Sequence, residues 1–323
     1  MPENFFGLTP FLGHQPLRDH LMSRWQENRL PRNLLFVGPR DLGKKRAARW
    51  IAQHDLCPST ANRPCQQCAS CRQIAEQRHP NVIFLQIDDD DGKIQIETVR
   101  QTLARFTTAV MGPERRWLII HEIENLTEGA ANAMLKFLEE PPPALTIIAT
   151  CSDPERMIGT IRSRFHLYRW HLVSGPILSA ALTESYPNLS PARRRNLVDR
   201  AAGRPSLLRR LSGYAEALEQ DEQQAANIIV SLQSTPPVNH PTVPEDLATY
   251  FRIAELVLRE ILLRQQGITN RLLWPNLRSS IDKISKSMAG EVVINKWQRL
   301  INRDNYFRYN LSEKIFYYDW QIT

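Results

Sequence analysis

The chain has 323 residues, of which 42% are hydrophobic and 23% charged, and its mean hydropathy is -0.39. At roughly 150 residues per domain this length predicts two or three domains, and no run of about 18 consecutive apolar residues offers a membrane span. The N-terminal residues Met1-Pro2-Glu3-Asn4-Phe5-Phe6 lack a basic region followed by an apolar stretch, so an unexported, cytoplasmic protein is expected. A formal net charge of +7 fits either anionic partners or a merely soluble basic surface.

In chain order, Leu34-Leu35-Phe36-Val37 is a short apolar run between Pro31 and Gly38-Pro39, which predicts a buried strand entering a turn. Val82 to Leu85, Trp117 to Ile120 and Leu145 to Thr150 are further runs of strand length, and Ile96 to Phe106 and Gly129 to Glu140 carry helical patterns. Alternating strands and helices predict a parallel α/β sheet covered on both faces over residues 1–172. After Leu172 the strand signals stop, and two all-α regions are expected, at 173–213 and 214–323. Leu247 to Leu262 reads as a helix with one broad buried face. Arg193 to Arg210 holds seven arginines against Asp199 alone, a local charge of +6. On a helix it should project toward an acidic neighbour or solvent rather than toward DNA. The tract Asp88 to Asp91 reads as a solvated loop rather than a metal site.

Gly38-Pro39-Arg40-Asp41-Leu42-Gly43-Lys44-Lys45 has the spacing and the strand-to-helix setting of a phosphate-binding loop. Gly38 and Gly43 would let backbone N–H groups converge on phosphate oxygens, and Lys44 would reach the terminal phosphates. The hydroxyl needed by magnesium is replaced by Lys45, whose ammonium cannot ligate a cation. The aspartate expected at the end of a later strand is replaced by His121, although Glu122 beside it keeps a carboxylate suited to water activation. Two independent metal contacts are lost together, so hydrolysis of ATP by this chain is not expected, and ATP binding itself is doubtful. A plain strand-to-helix turn is the competing reading of the loop.

Cys57, Cys65, Cys68 and Cys71 are spaced C-x7-C-x2-C-x2-C. Four thiolates close a tetrahedral site, so a structural zinc ion is expected, with iron–sulfur or free thiols as alternatives. Cys151 stands apart and is expected in core packing.

Together these residues resemble the clamp-loader subunits of bacterial DNA polymerase III, a branch of the AAA+ superfamily. Phe11-Leu12-Gly13-His14-Gln15 is similar to the family's N-terminal box, and the phosphate loop and four cysteines match its counterparts. Asn132-Ala133-Met134-Leu135-Lys136-Phe137-Leu138-Glu139-Glu140-Pro141-Pro142 follows its "NALLKxLEEPP" signature, and Ser163-Arg164-Phe165 resembles its "SRC" motif. The resemblance implies an AAA+ domain at 1–172 with a zinc module at 57–71, a helical lid at 173–213 and a helical collar at 214–323. Lys45, His121 and Gly203-Arg204-Pro205-Ser206, where an ATPase usually has a second sensor arginine, favour the delta-prime type over the hydrolysing gamma/tau type. That type implies gamma/tau and delta partners, a sliding clamp and primed DNA reached through the complex, and polymerase activity carried by another subunit. It also implies that Arg164 reaches ATP held by a neighbour, the plain alternative being a surface arginine. A stand-alone zinc-dependent nucleic-acid binder is the weakest reading.

Overall fold

The computed structural model describes residues 11–87, 92–107, 115–213, 215–233, 246–268, 273–302, 316–317 and 320; the tract Asp88 to Asp91 lies outside them. It divides into two compact units, Met1–Asn188 with Gly203–Ser206, and Leu189–Ala202 with Leu207–Thr323.

The first unit is built on a five-stranded, all-parallel sheet of β1 (Asn33–Val37), β2 (Val82–Leu85), β3 (Arg116–Ile120), β4 (Leu145–Cys151) and β5 (His166–Arg169). The strand order is β2-β3-β4-β1-β5, which places β1 between β4 and β5. Around the sheet run α1 (Gln15–Gln26), α2 (Lys44–Leu56), α3 (Ala69–Ala75), α4 (Ile96–Thr107), α5 (Glu128–Glu139) and α6 (Gly159–Arg162), and α7 (Gly175–Ser185) follows β5. Successive strand residues face opposite sides. Leu34 and Phe36 join Trp117, Ile119 and Ile148 against α2, whereas Leu35 and Val37 join Leu118, Ile120 and Ile147 against α5. The three inner strands are covered on both faces and the edge strand β2 is largely buried, so these four read as unbroken apolar runs and were legible. β5 was not. At this edge His166, Leu167 and Arg169 are exposed, unlike the largely buried residues of the other edge strand β2, so β5 carries no apolar run.

The remaining helices are α8 (Pro191–Ala201), α9 (Pro205–Gly213), α10 (Ala215–Gln233), α11 (Leu247–Gln265), α12 (Arg278–Ser287) and α13 (Gly290–Ile301). In the second unit α11 is the central helix. The face expected from Leu247 to Leu262 is buried except that Leu262 is only partly covered, and Ile253, Leu256 and Glu260 are buried as well, so the helix is enclosed nearly all round. Beside it Asp221 accepts hydrogen bonds from Arg200 Nε at 3.0 Å and Arg200 Nη2 at 2.6 Å, and a further one from Arg252. Arg200 also lies over the Trp274 ring, 5.7 Å from its centroid. This corrects the picture of one projecting arginine cluster. Of the seven, Arg193, Arg195 and Arg210 are exposed, while Arg200 is a buried structural cation. Among the described residues no helix is long and apolar enough to cross a membrane.

Candidate functional site

The phosphate-type loop leaves the C-terminal end of β1 and closes on the first turn of α2. Gly38 has φ 155°, and a Cβ there would come within 2.2 Å of the Trp170 carbonyl oxygen, so no other residue fits without moving β5's exit. Gly43 caps α2 at φ 92°. Asp41 accepts a backbone hydrogen bond from Ser206 at 2.9 Å, which ties the loop to Gly203-Arg204-Pro205-Ser206.

The lysine of the loop turns back on the loop itself. Lys44 Nζ donates to the carbonyls of Gly38 and Pro39, the latter at 2.6 Å, and approaches Ser152 Oγ at 3.5 Å. Burial pulls its pKa down to about 8, opposed by the charges of Glu124 and Glu122. Lys45 Nζ donates to Gln86 Oε1 at 2.8 Å. Both lysines occupy the first turn of α2, at the positive end of the helix dipole and without an acidic residue in that turn.

His121 and Glu122 follow β3 toward the same loop. Thr150 Oγ1 accepts the Glu122 N–H at 3.0 Å and lies 3.2 Å from His121 Nδ1. The hydroxyl keeps its proton and a second lone pair, so it can serve either tautomer of the ring. Burial, reinforced by the positive charge of Lys45, pushes the His121 pKa down to about 4, which keeps the imidazole neutral. Glu122 has φ 52°, an uncommon conformation for a non-glycine residue. Its carboxylate is held by Arg40 at 3.1 Å and by Asn125 Nδ2 at 3.2 Å. Lys44 and Lys45 of the loop lie within electrostatic reach of His121 and Glu122 at the end of β3, beside Gly38 and Gly43. Gln86 and Thr150 are partners that reading along the chain missed as such, because only the strand order brings them to the loop, and the same order sets Glu122 against Arg40 of the loop.

The four cysteines lie between α2 and the start of α3. Cys57 ends α2, Cys68 caps α3 by accepting from the Cys71 N–H, and all four Sγ atoms lie within 4.8 Å of one another. Backbone N–H groups of Cys65, Cys68 and Cys71 point at the sulfurs of Cys57, Cys65 and Cys68, each at 3.4 Å. Backbone hydrogen bonds from Gln67 and Cys68 bring the Cys65 thiol down to about 6, whereas burial pushes the Cys71 thiol up. This set could hold a metal ion: it supplies four soft donors at a spacing that small inward shifts would close onto bonds of about 2.3 Å. Cys151 sits fully buried in the core at the end of β4, its thiol pushed up by burial.

Arg164 lies elsewhere. It follows α6, and its Nε donates to Glu139 Oε1 at 3.1 Å, with Nη2 on the same oxygen and Nη1 on the Thr160 carbonyl. Phe165, where the motif has a cysteine, is buried in the core.

A five-stranded parallel α/β sheet with a phosphate-type loop between β1 and α2, and a four-cysteine module after α2, defines a protein of the phosphate-loop α/β class. Residues 13–172 match the family described as DNA polymerase III, delta subunit, and over these residues the chain is similar to clamp-loader subunits of DNA polymerase III. It is 31% identical to the delta-prime subunit of Bacillus subtilis over 140 residues, 43% of this chain and 42% of that protein. It is 33% identical to the gamma/tau subunit of Mycobacterium bovis over 150 residues, 46% of this chain and 26% of that protein. The match thus spans less than half the length of either relative. A solved gamma subunit-related protein of Thermotoga maritima covers 93% of this chain and 97% of its own at 15% identity, with a TM-score of 0.41.

Proposed function

We propose that this chain is a delta-prime-type clamp-loader subunit that does not itself hydrolyse ATP. In this role it supports ATP-driven loading of a sliding clamp onto primed DNA by gamma/tau-type and delta-type partners in the cytoplasm. The observation that carries this reading is the composition of the phosphate site. Lys45 and a neutral His121 stand where a hydroxyl and a carboxylate would ligate magnesium, a hard cation that prefers oxygen donors. Glu122, the remaining group suited to orienting water, is paired with Arg40. Residues 173–213 and 214–323 would serve as lid and collar, and Cys57, Cys65, Cys68 and Cys71 would hold a structural zinc ion that orders the segment around them.

The hydrolytic contribution would then be made in trans, by Arg164 at the ATP of a neighbouring subunit, where an added guanidinium accelerates phosphoryl transfer by about 1,000-fold or more. The gamma/tau reading, favoured by relatives of that name, differs in one measurable respect. Under the present proposal the isolated chain turns over ATP no faster than background, while a complex reconstituted with its gamma/tau-type and delta-type partners loses turnover on Arg164→Ala. Steady turnover by the isolated chain that vanishes in Lys44→Ala would establish the gamma/tau reading instead.

A further inference from the structure

Resting on the trans role of Arg164, we infer that Glu139 is the positioning residue that aims its guanidinium. The two belong to different motifs, and the fold brings them together. Glu139 is the last residue of α5, and Arg164 follows α6. The buried side chain of Asn33, at the head of β1, joins their backbones: its Nδ2 donates to the Leu138 carbonyl at 3.0 Å and to the Arg164 carbonyl at 3.1 Å. Both side chains therefore spring from anchored backbone, one residue apart from or at the point of attachment.

The hydrogen-bond pattern leaves a specific part of the guanidinium open. Arginine has five N–H donors in a planar fork. Nε and one N–H of Nη2 go to Glu139 Oε1, and one N–H of Nη1 goes to the Thr160 carbonyl. Two N–H groups remain, one on each terminal nitrogen, and such a pair is what a phosphate oxygen pair accepts. The side chain of Arg164 is 28% exposed, so the fork has access from outside the chain. Glu139 is itself half exposed, and an ion pair in such a setting contributes little to folding. Its effect is on orientation: without it the long side chain would lose the two contacts that fix the guanidinium plane. A carboxylate at the negative end of α5 is also unfavourable alone, and Arg164 offsets it.

The test uses the reconstituted complex with its gamma/tau-type and delta-type subunits, ATP and primed DNA, and reads kcat and KM for ATP. Glu139→Ala is expected to lower kcat by between about tenfold and the roughly hundredfold that a misplacement of about 1 Å can cost, with KM for ATP unchanged. Glu139→Gln, which keeps an acceptor oxygen for the two N–H groups, should recover most of that loss. Glu139→Ala combined with Arg164→Ala should be no slower than Arg164→Ala alone. If Arg164→Ala is slow while Glu139→Ala turns over at the wild-type rate, or if the two losses multiply, the positioning role is wrong and the trans arginine stands. If Arg164→Ala itself turns over at the wild-type rate, both fall.

Discussion

His121 concentrates the chemistry of the site in one side chain. It is neutral because burial and Lys45 oppose a second positive charge, and its pKa lies near 4 instead of about 6.5. Between those values the unfolded chain binds a proton that the folded chain refuses, so stability falls as pH drops from about 6.5 toward 4. His14 and His54, also lowered by burial, act in the same direction. Denaturant unfolding of His121→Gln should therefore show a shallower loss between pH 7 and pH 4 than the parent chain, the two curves converging toward acid. Parallel curves would mean that His121 titrates normally.

At the scale of elements, two clusters hold segments that their own apolar content does not. The first is the cysteine module, where Cys68 is both a member of the set and the cap of α3. Metal analysis of the purified chain should give one zinc per chain, and Cys68→Ser should lower both zinc content and melting temperature, because bound zinc contributes on the order of 10 kcal/mol to such segments. Finding iron, or an unchanged metal content in the variant, would overturn the zinc assignment. The second cluster is Arg200 with Asp221 and Arg252, all buried. Arg200→Ala removes two hydrogen bonds to Asp221 and leaves that carboxylate with Arg252 as its cation, so a loss of about 3 kcal/mol or more is expected in denaturant unfolding. Arg195→Ala, at an exposed position on the same helix, should change stability by less than about 0.5 kcal/mol.

For the whole molecule, the net charge of +7 invites a nucleic-acid reading that the burial pattern weakens. Binding that depends on phosphate contacts needs several exposed cations acting together. In the arginine-rich stretch Arg200 is buried and Arg194, Arg204 and Arg209 are partly covered, which leaves Arg193, Arg195 and Arg210 exposed. The isolated chain is therefore expected not to retain primed DNA at about 0.15 M salt. Tight binding with a steep salt dependence, abolished when Arg193, Arg194 and Arg195 are changed together, would return DNA as a direct partner.

How far this protein was legible depends on the range of each interaction. Apolar runs mark strands covered on both faces, glycines mark the loop that needs them, and paired x2 spacers bring thiols together within one turn. All three are local, so β1 to β4, the phosphate-type loop and the cysteine set could be read from residue order alone. Lys45 and His121 were legible as departures from a pattern, but that Gln86 and Thr150 are their partners follows from the parallel order of β2, β3, β4 and β1. The exposed edge strand β5 has no apolar signature and acquires its structure by pairing with β1. Asn33 and Glu139 carried no signal in the chain pointing to Arg164. Their role is decided by tertiary structure, because a buried amide and a helix-end carboxylate gain meaning only when folding sets the right carbonyl and guanidinium within 3.1 Å.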